Sequence, residues 1–105
     1  MKILLDHCVD RHLAKHLLQH TVKTAEAMGW DGLQNGKLLA AAADQFDVLL
    51  TVERNLRYQQ NPASLPIAVI VLVAKSNRLA DLVPLIPTAE LILAALKPRT
   101  IVEVR

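Results

Sequence analysis

Met1-Lys2-Ile3-Leu4-Leu5-Asp6 decides how the rest of this chain is read, because a short apolar run ends there abruptly in a carboxylate. Ile3, Leu4 and Leu5 read as a buried strand, and a helical pattern begins soon afterwards. A buried strand would leave Asp6 as an uncompensated charge, so the acid is expected at the strand's carboxyl end. In an open α/β sheet, ligand crevices form outside the carboxyl ends of the strands. Two further apolar runs, Val48 to Leu50 and Ile67 to Val73, are candidates to lie beside the first. The earlier of them also ends near an acid, in Thr51-Val52-Glu53-Arg54-Asn55, so Asp6 and Glu53 are expected to face one crevice.

At 105 residues the chain is expected to form one domain, residues 1–105, with a single core and little surplus of buried surface. Its 12 basic and 10 acidic side chains leave a formal charge of +2, so attraction for a polyanion has to come from a local patch. The lone Cys8 excludes an internal disulfide and a thiolate-rich zinc site, and fits a reducing, cytoplasmic setting. No leader pattern is present and the apolar runs are too short to span a bilayer, so no membrane partner is expected. Trp30, Phe46 and Tyr58 are the only aromatic residues, too few for a stacking platform on single-stranded nucleic acid.

Asp10 to Gln19 places Leu13, Ala14, Leu17 and Leu18 on one side and Arg11, His12, Lys15 and His16 on the other, which predicts a helix capped by Asp10. His20 to Thr24 predicts a short strand around Val22. Gly29, Gly32 and Gly36 fall in a loop pinned by Trp30 and Leu33; their spacing matches no phosphate-binding fingerprint. Asn35 is placed to cap a helix running through Lys37 to Ala43, whose alanines allow close approach to the sheet. Val48 to Val52 predicts a strand. Glu53 to Asn61 is polar and predicts a short helix or an ordered loop. Ile67 to Val73 predicts a strand buried on both faces, in a central position. The helix resuming at Leu79 must kink or divide at Pro84 and Pro87, continue through Glu90 to Leu96, and stop before Pro98. Thr100 to Val104 predicts a final strand at an edge. This order implies α/β architecture with a mostly parallel sheet covered by helices.

Paired carboxylates at neighbouring strand ends can hold a divalent ion that positions a phosphodiester, and Asp6 with Glu53 is the best-placed pair. Asp44 and Asp47 fall at the amino end of their strand, away from that crevice; Asp31 lies in the glycine-containing loop and Asp81 is expected to face water. His12 and His16 share a helix face but lack the Glu that a metalloprotease helix requires. Cys8 has no well-placed His to activate it as a nucleophile. Arg54 and Asn55, with Arg57, Gln59 and Gln60, follow one strand end, and Lys75, Ser76, Asn77 and Arg78 follow another; both groups suit phosphate contacts.

Lys2-Ile3-Leu4-Leu5-Asp6, Gly29-Trp30, Asn35-Gly36-Lys37-Leu38-Leu39, Phe46 through Asn55 and Asn77-Arg78-Leu79 together resemble the small bacterial PIN-like proteins known as the DUF5615 family. The likeness runs over essentially the whole chain. It implies a three-layer α/β/α sandwich and a divalent-metal-dependent endoribonuclease, with RNA as substrate and an antitoxin protein as a partner where the domain serves as a toxin. Asp6 matches the first metal-binding Asp and Glu53 the acid after the Leu-Leu-Thr strand, usually Asp. His7 stands where Glu is common, while Asn35 and Asn55 stand where relatives frequently carry Asp. The resemblance therefore implies Mg2+ or Mn2+ held weakly by Asp6 and Glu53, with Asn55 and Asn35 as auxiliary ligands. Arg54, Arg78, Asn77 and Ser76 would hold substrate phosphate. The alternative it leaves is a catalytically impaired module that binds nucleic acid or protein on the same scaffold. A homodimer is expected through the leucine-rich late helices.

Overall fold

Every predicted strand forms in the computed structural model, which describes residues 1–33, 35–55 and 64–105. The strands are β1 (Lys2–Leu5), β2 (Thr21–Thr24), β3 (Val48–Thr51), β4 (Ala68–Leu72) and β5 (Ile101–Val104). They make one all-parallel sheet in the order β2-β1-β3-β4-β5. β1, β3 and β4 each have neighbours on both sides, which matches their uninterrupted apolar composition. β4 is buried along its whole length and lies inside the sheet between β3 and β5, as predicted. β5 is an edge strand.

Side chains alternate between the faces of the sheet, and the core divides accordingly. On the first face Ile3, Leu5, Val48, Leu50, Ile70, Leu72 and Val104 meet Leu13 and Leu17 near the amino terminus and Leu82, Ile86, Ala89 and Leu93 from the late helices. On the second, Leu4, Leu49, Val69 and Val71 meet Leu38, Leu39, Ala42 and Phe46.

The amphipathic stretch after Asp10 forms a 3-10 helix, Arg11–His16, rather than an α-helix through Gln19. Asp10 caps it as predicted, its carboxylate accepting from the His12 amide. The helix stops short of Gln19 because Leu18 is 84 % exposed and gives no reason to extend it, while Leu13 and Leu17 enter the core. α1 spans Asn35–Ala43. Trp30 pins the preceding loop against Phe46 in an edge-to-face contact at 6.1 Å, and Gly29 takes a left-handed backbone there, φ 75°. Late in the chain, α2 (Leu79–Leu82), a 3-10 turn (Val83–Leu85) and α3 (Ile86–Ala94) follow in series. Pro84 and Pro87 each occupy the first turn of their segment, where a missing amide hydrogen leaves no helical bond unmade.

The connections from β1 to β2 and from β4 to β5 both cross the first face, yet they step in opposite directions along the sheet. They therefore have opposite hands. The β2 to β3 connection, through α1 on the second face, shares the hand of β1 to β2. The final arm through α2 and α3 thus has the hand opposite to both other described connections, a departure from the single right-handed sense usual for parallel strands. No helix among the described residues is long and apolar enough to cross a membrane.

Candidate functional site

The strand order reverses between β1 and β3, because the chain steps one way to β2 and returns the other way to β3. Such a switch point opens a crevice at the carboxyl ends of the two strands. Leu5 pairs with Leu50, so the next residues in register, Asp6 and Thr51, stand side by side where the two strands end. Both are buried, at 3 % and 0 % exposure, the two buried polar side chains among the described residues.

Four donors meet the Asp6 carboxylate. Oδ1 accepts from the His7 amide at 2.8 Å and lies 3.0 Å from His7 Nδ1. Oδ2 accepts from the Thr51 hydroxyl at 2.7 Å and, more weakly, from the Cys8 thiol at 3.5 Å. This pattern explains how a carboxylate is held at a nearly closed position: the donors replace the water it gave up. It also turns His7 so that Nδ1 faces the acid while the ring remains half-exposed. Burial pushes the Cys8 thiol above its ordinary range, with the neighbouring Asp6 charge acting in the same direction. A neutral, recessed thiol has little nucleophilic character, in keeping with the sequence reading of Cys8.

Glu53 lies at the same end of the sheet and is linked to Asp6 through Thr51. Its amide donates to Thr51 Oγ1 at 3.1 Å, and its carboxylate accepts from the Asn55 amide at 3.0 Å. Glu53 is half-buried, and Arg54 and Asn55 are exposed. The Arg54 guanidinium donates to the carbonyl of Ala74 at 3.2 Å, tying the loop after β3 to the loop after β4. Arg54 and Asn55 of one predicted phosphate-contact group thus share an end of the sheet with Lys75, Ser76, Asn77 and Arg78 of the other. Within the second group the roles differ. Asn77 and Arg78 are exposed, and Arg78 makes no ion pair among the described residues. The Ser76 hydroxyl instead donates to Asp81 and accepts from the Arg78 amide, so it organises the turn into α2. Asp81, expected to face water, is half-buried by this contact. The roles predicted for the Asn35 side chain and for Arg57, Gln59 and Gln60 lie outside the described residues.

Asp47 is at the opposite end, where its carboxylate accepts from the Lys2 amide at 2.8 Å. His12 pairs with Asp10 rather than with His16. Thr51 was not a sequence candidate. The signal for it was present: Ile3-Leu4-Leu5 and Val48-Leu49-Leu50 are apolar triplets of equal length, so parallel pairing in register sets the residue after one beside the residue after the other.

The donor chemistry bears on a divalent ion as follows. Among the described residues no three His, Cys, Asp or Glu side chains gather into a cation cage. Mg2+, however, is commonly held by one or two carboxylates with water and substrate phosphate completing its shell. Asp6 and Glu53 are hard oxygen donors of that kind, and a ligand carboxylate is normally oriented by hydrogen bonds such as those Asp6 receives. The weak thiol contact on Oδ2 is the most readily displaced. Two carboxylates of this kind would suit only a weakly bound ion completed by water and substrate, and not a tightly held one.

No family model, curated protein or solved structure matches this chain.

Proposed function

We propose that this chain is a PIN-like protein of the DUF5615 type, a three-layer α/β/α sandwich, and a metal-dependent endoribonuclease of the cytoplasm. The observation that carries the reading is the buried Asp6, braced by Thr51 at the β1/β3 switch point, with Glu53 following on the same strand end. Asp6 and Glu53 would hold Mg2+ or Mn2+, with Asn55 as an auxiliary ligand. Bound there, the ion supplies positive charge to a phosphodiester and acidifies a water molecule. Arg54, Asn77 and Arg78 orient the phosphate, and Ser76 shapes the loop that presents the latter two. An antitoxin protein and a second copy of the chain are the partners proposed with this role.

The test is cleavage of RNA in a manganese titration by wild type, Glu53→Gln and Asp6→Asn. Manganese-dependent cleavage lost in Glu53→Gln supports the site; equal cleavage by all three proteins removes it. Growth arrest on expression, relieved by a neighbouring gene product, tests the toxin role.

A second reading is favoured by the donors already placed on Asp6. With Oδ1 and Oδ2 both engaged, the scaffold serves as an RNA-binding module without turnover. Salt-sensitive RNA binding in the absence of cleavage supports it, since each phosphate contact releases counterions.

A further inference from the structure

A groove of about 550 Å3 opens at the other end of the sheet, where the strands begin. Its walls mix polar surface with apolar side chains: Ala43 at the end of α1, Phe46 shortly after it, Ile67 ahead of β4 and Leu96 after α3. Lys97 and Arg99, in the turn leading to β5, supply its charge. Neither makes an ion pair among the described residues. The lining also holds the acid Asp47, one oxygen of which accepts from the Lys2 amide, and Lys97 and Arg99 outnumber it.

Arg99 has φ 58°, the one non-glycine residue in the left-handed region among the described residues. The turn Lys97-Pro98-Arg99-Thr100 is closed by the Thr100 hydroxyl donating to the Lys97 carbonyl at 2.8 Å. Pro suits its second position, but the third favours Gly or Asn when φ is positive. A guanidinium stands there instead, on the wall of a groove. Strained backbone of this kind persists where the side chain has a use.

We infer that this groove binds a small amphipathic anion, an aromatic or short aliphatic body bearing one carboxylate, sulfonate or phosphate. The body lies against Phe46, Ile67 and Leu96, and the anionic group meets Lys97 and Arg99. The groove's volume falls within the range of small-molecule sites, and the two cations offer polar groups to fix a ligand's orientation. A guanidinium suits a planar oxyanion in particular. The groove is separate from Asp6 and does not depend on nuclease activity.

Fluorescence titration with anilinonaphthalene sulfonate tests this, with the uncharged N-phenylnaphthylamine as control. Wild type should bind the sulfonate saturably at one site. Lys97→Gln and Arg99→Gly should each weaken it by about tenfold, the loss of one charge-assisted contact, while binding the uncharged probe as wild type does. Ala43→Phe, which fills the groove, should weaken both probes; Glu53→Gln should change neither. Arg99→Gly relieves the left-handed backbone and should raise Tm by about 4 °C, so its weaker binding cannot come from unfolding. Unchanged sulfonate affinity in Lys97→Gln and Arg99→Gly overturns the inference. So does an affinity that falls as protein concentration rises, which assigns the groove to a second copy of the chain.

Discussion

The hydroxyl of Thr51 donates to Asp6 at 2.7 Å, fastening the end of β3 to the end of β1 across the switch point. Both groups are withdrawn from water, and at Oδ2 the Thr51 hydroxyl is the strong donor, with only the weaker Cys8 thiol beside it.

Thr51→Val keeps the shape of the side chain and removes the donor. It should destabilise the protein by about 2 kcal/mol, the scale for a buried hydrogen bond to a charged group, measured by urea unfolding. Thr51→Ser restores the hydroxyl and should recover part of that loss. A Val variant as stable as wild type would show that Oδ2 is satisfied without Thr51.

Glu53→Gln removes a charge whose carboxylate contact among the described residues is the Asn55 amide, a donor that a Gln carbonyl also accepts. Its stability should stay within about 0.5 kcal/mol of wild type. Any manganese-induced rise in Tm should nevertheless shrink, because a ligand stabilises only as far as it binds the folded state. This makes Glu53→Gln a cleaner probe of the site than Asp6→Asn, which also disturbs Thr51, His7 and Cys8.

The Cys8 thiol titrates above its ordinary range because burial disfavours the thiolate. With the folded value raised above the unfolded one, its stabilising contribution is complete below the ordinary thiol range and disappears as pH rises through the raised value. Wild type should therefore lose stability in alkali more steeply than Cys8→Ala, in urea melts taken from neutral pH upward. Superimposable pH curves would contradict this, as would rapid alkylation of Cys8 at neutral pH.

Leu50→Ala should cost about 3 kcal/mol, since Leu50 packs on both Leu-rich and Ile-rich neighbours with no exposed surface to collapse into. Leu91→Ala, at a residue 74 % exposed, should stay within about 0.5 kcal/mol. Thermal unfolding of the two variants in parallel separates core from surface leucines in a chain rich in both.

The strands were legible because their apolar runs have lengths that suit strands and end in polar residues, and the divided late helix because Pro84 and Pro87 each permit only a first-turn position. The 3-10 helix at Arg11–His16 was not, since Leu13, Leu17 and Leu18 suit either winding, and its early end follows from Leu18 staying outside. At the candidate site, Asp6 stood out as a charge that a buried strand cannot contain. Thr51 did not, because a threonine is unremarkable in a strand until register puts it beside that acid. Ser76 looked like any exposed hydroxyl after a strand; its use by Asp81 depends on how the turn folds.

The reversed hand of the last crossover sets an order of assembly. Leu13 and Leu17, near the start of the chain, are covered partly by Leu82, Ile86 and Leu93 on the same face, and His20 meets Glu90 of α3 at 2.7 Å. During synthesis the nascent amino-terminal half therefore holds an oily surface open until residues 79–94 have emerged, and a ribosome that stalls before then leaves a fragment prone to sticking to its neighbours.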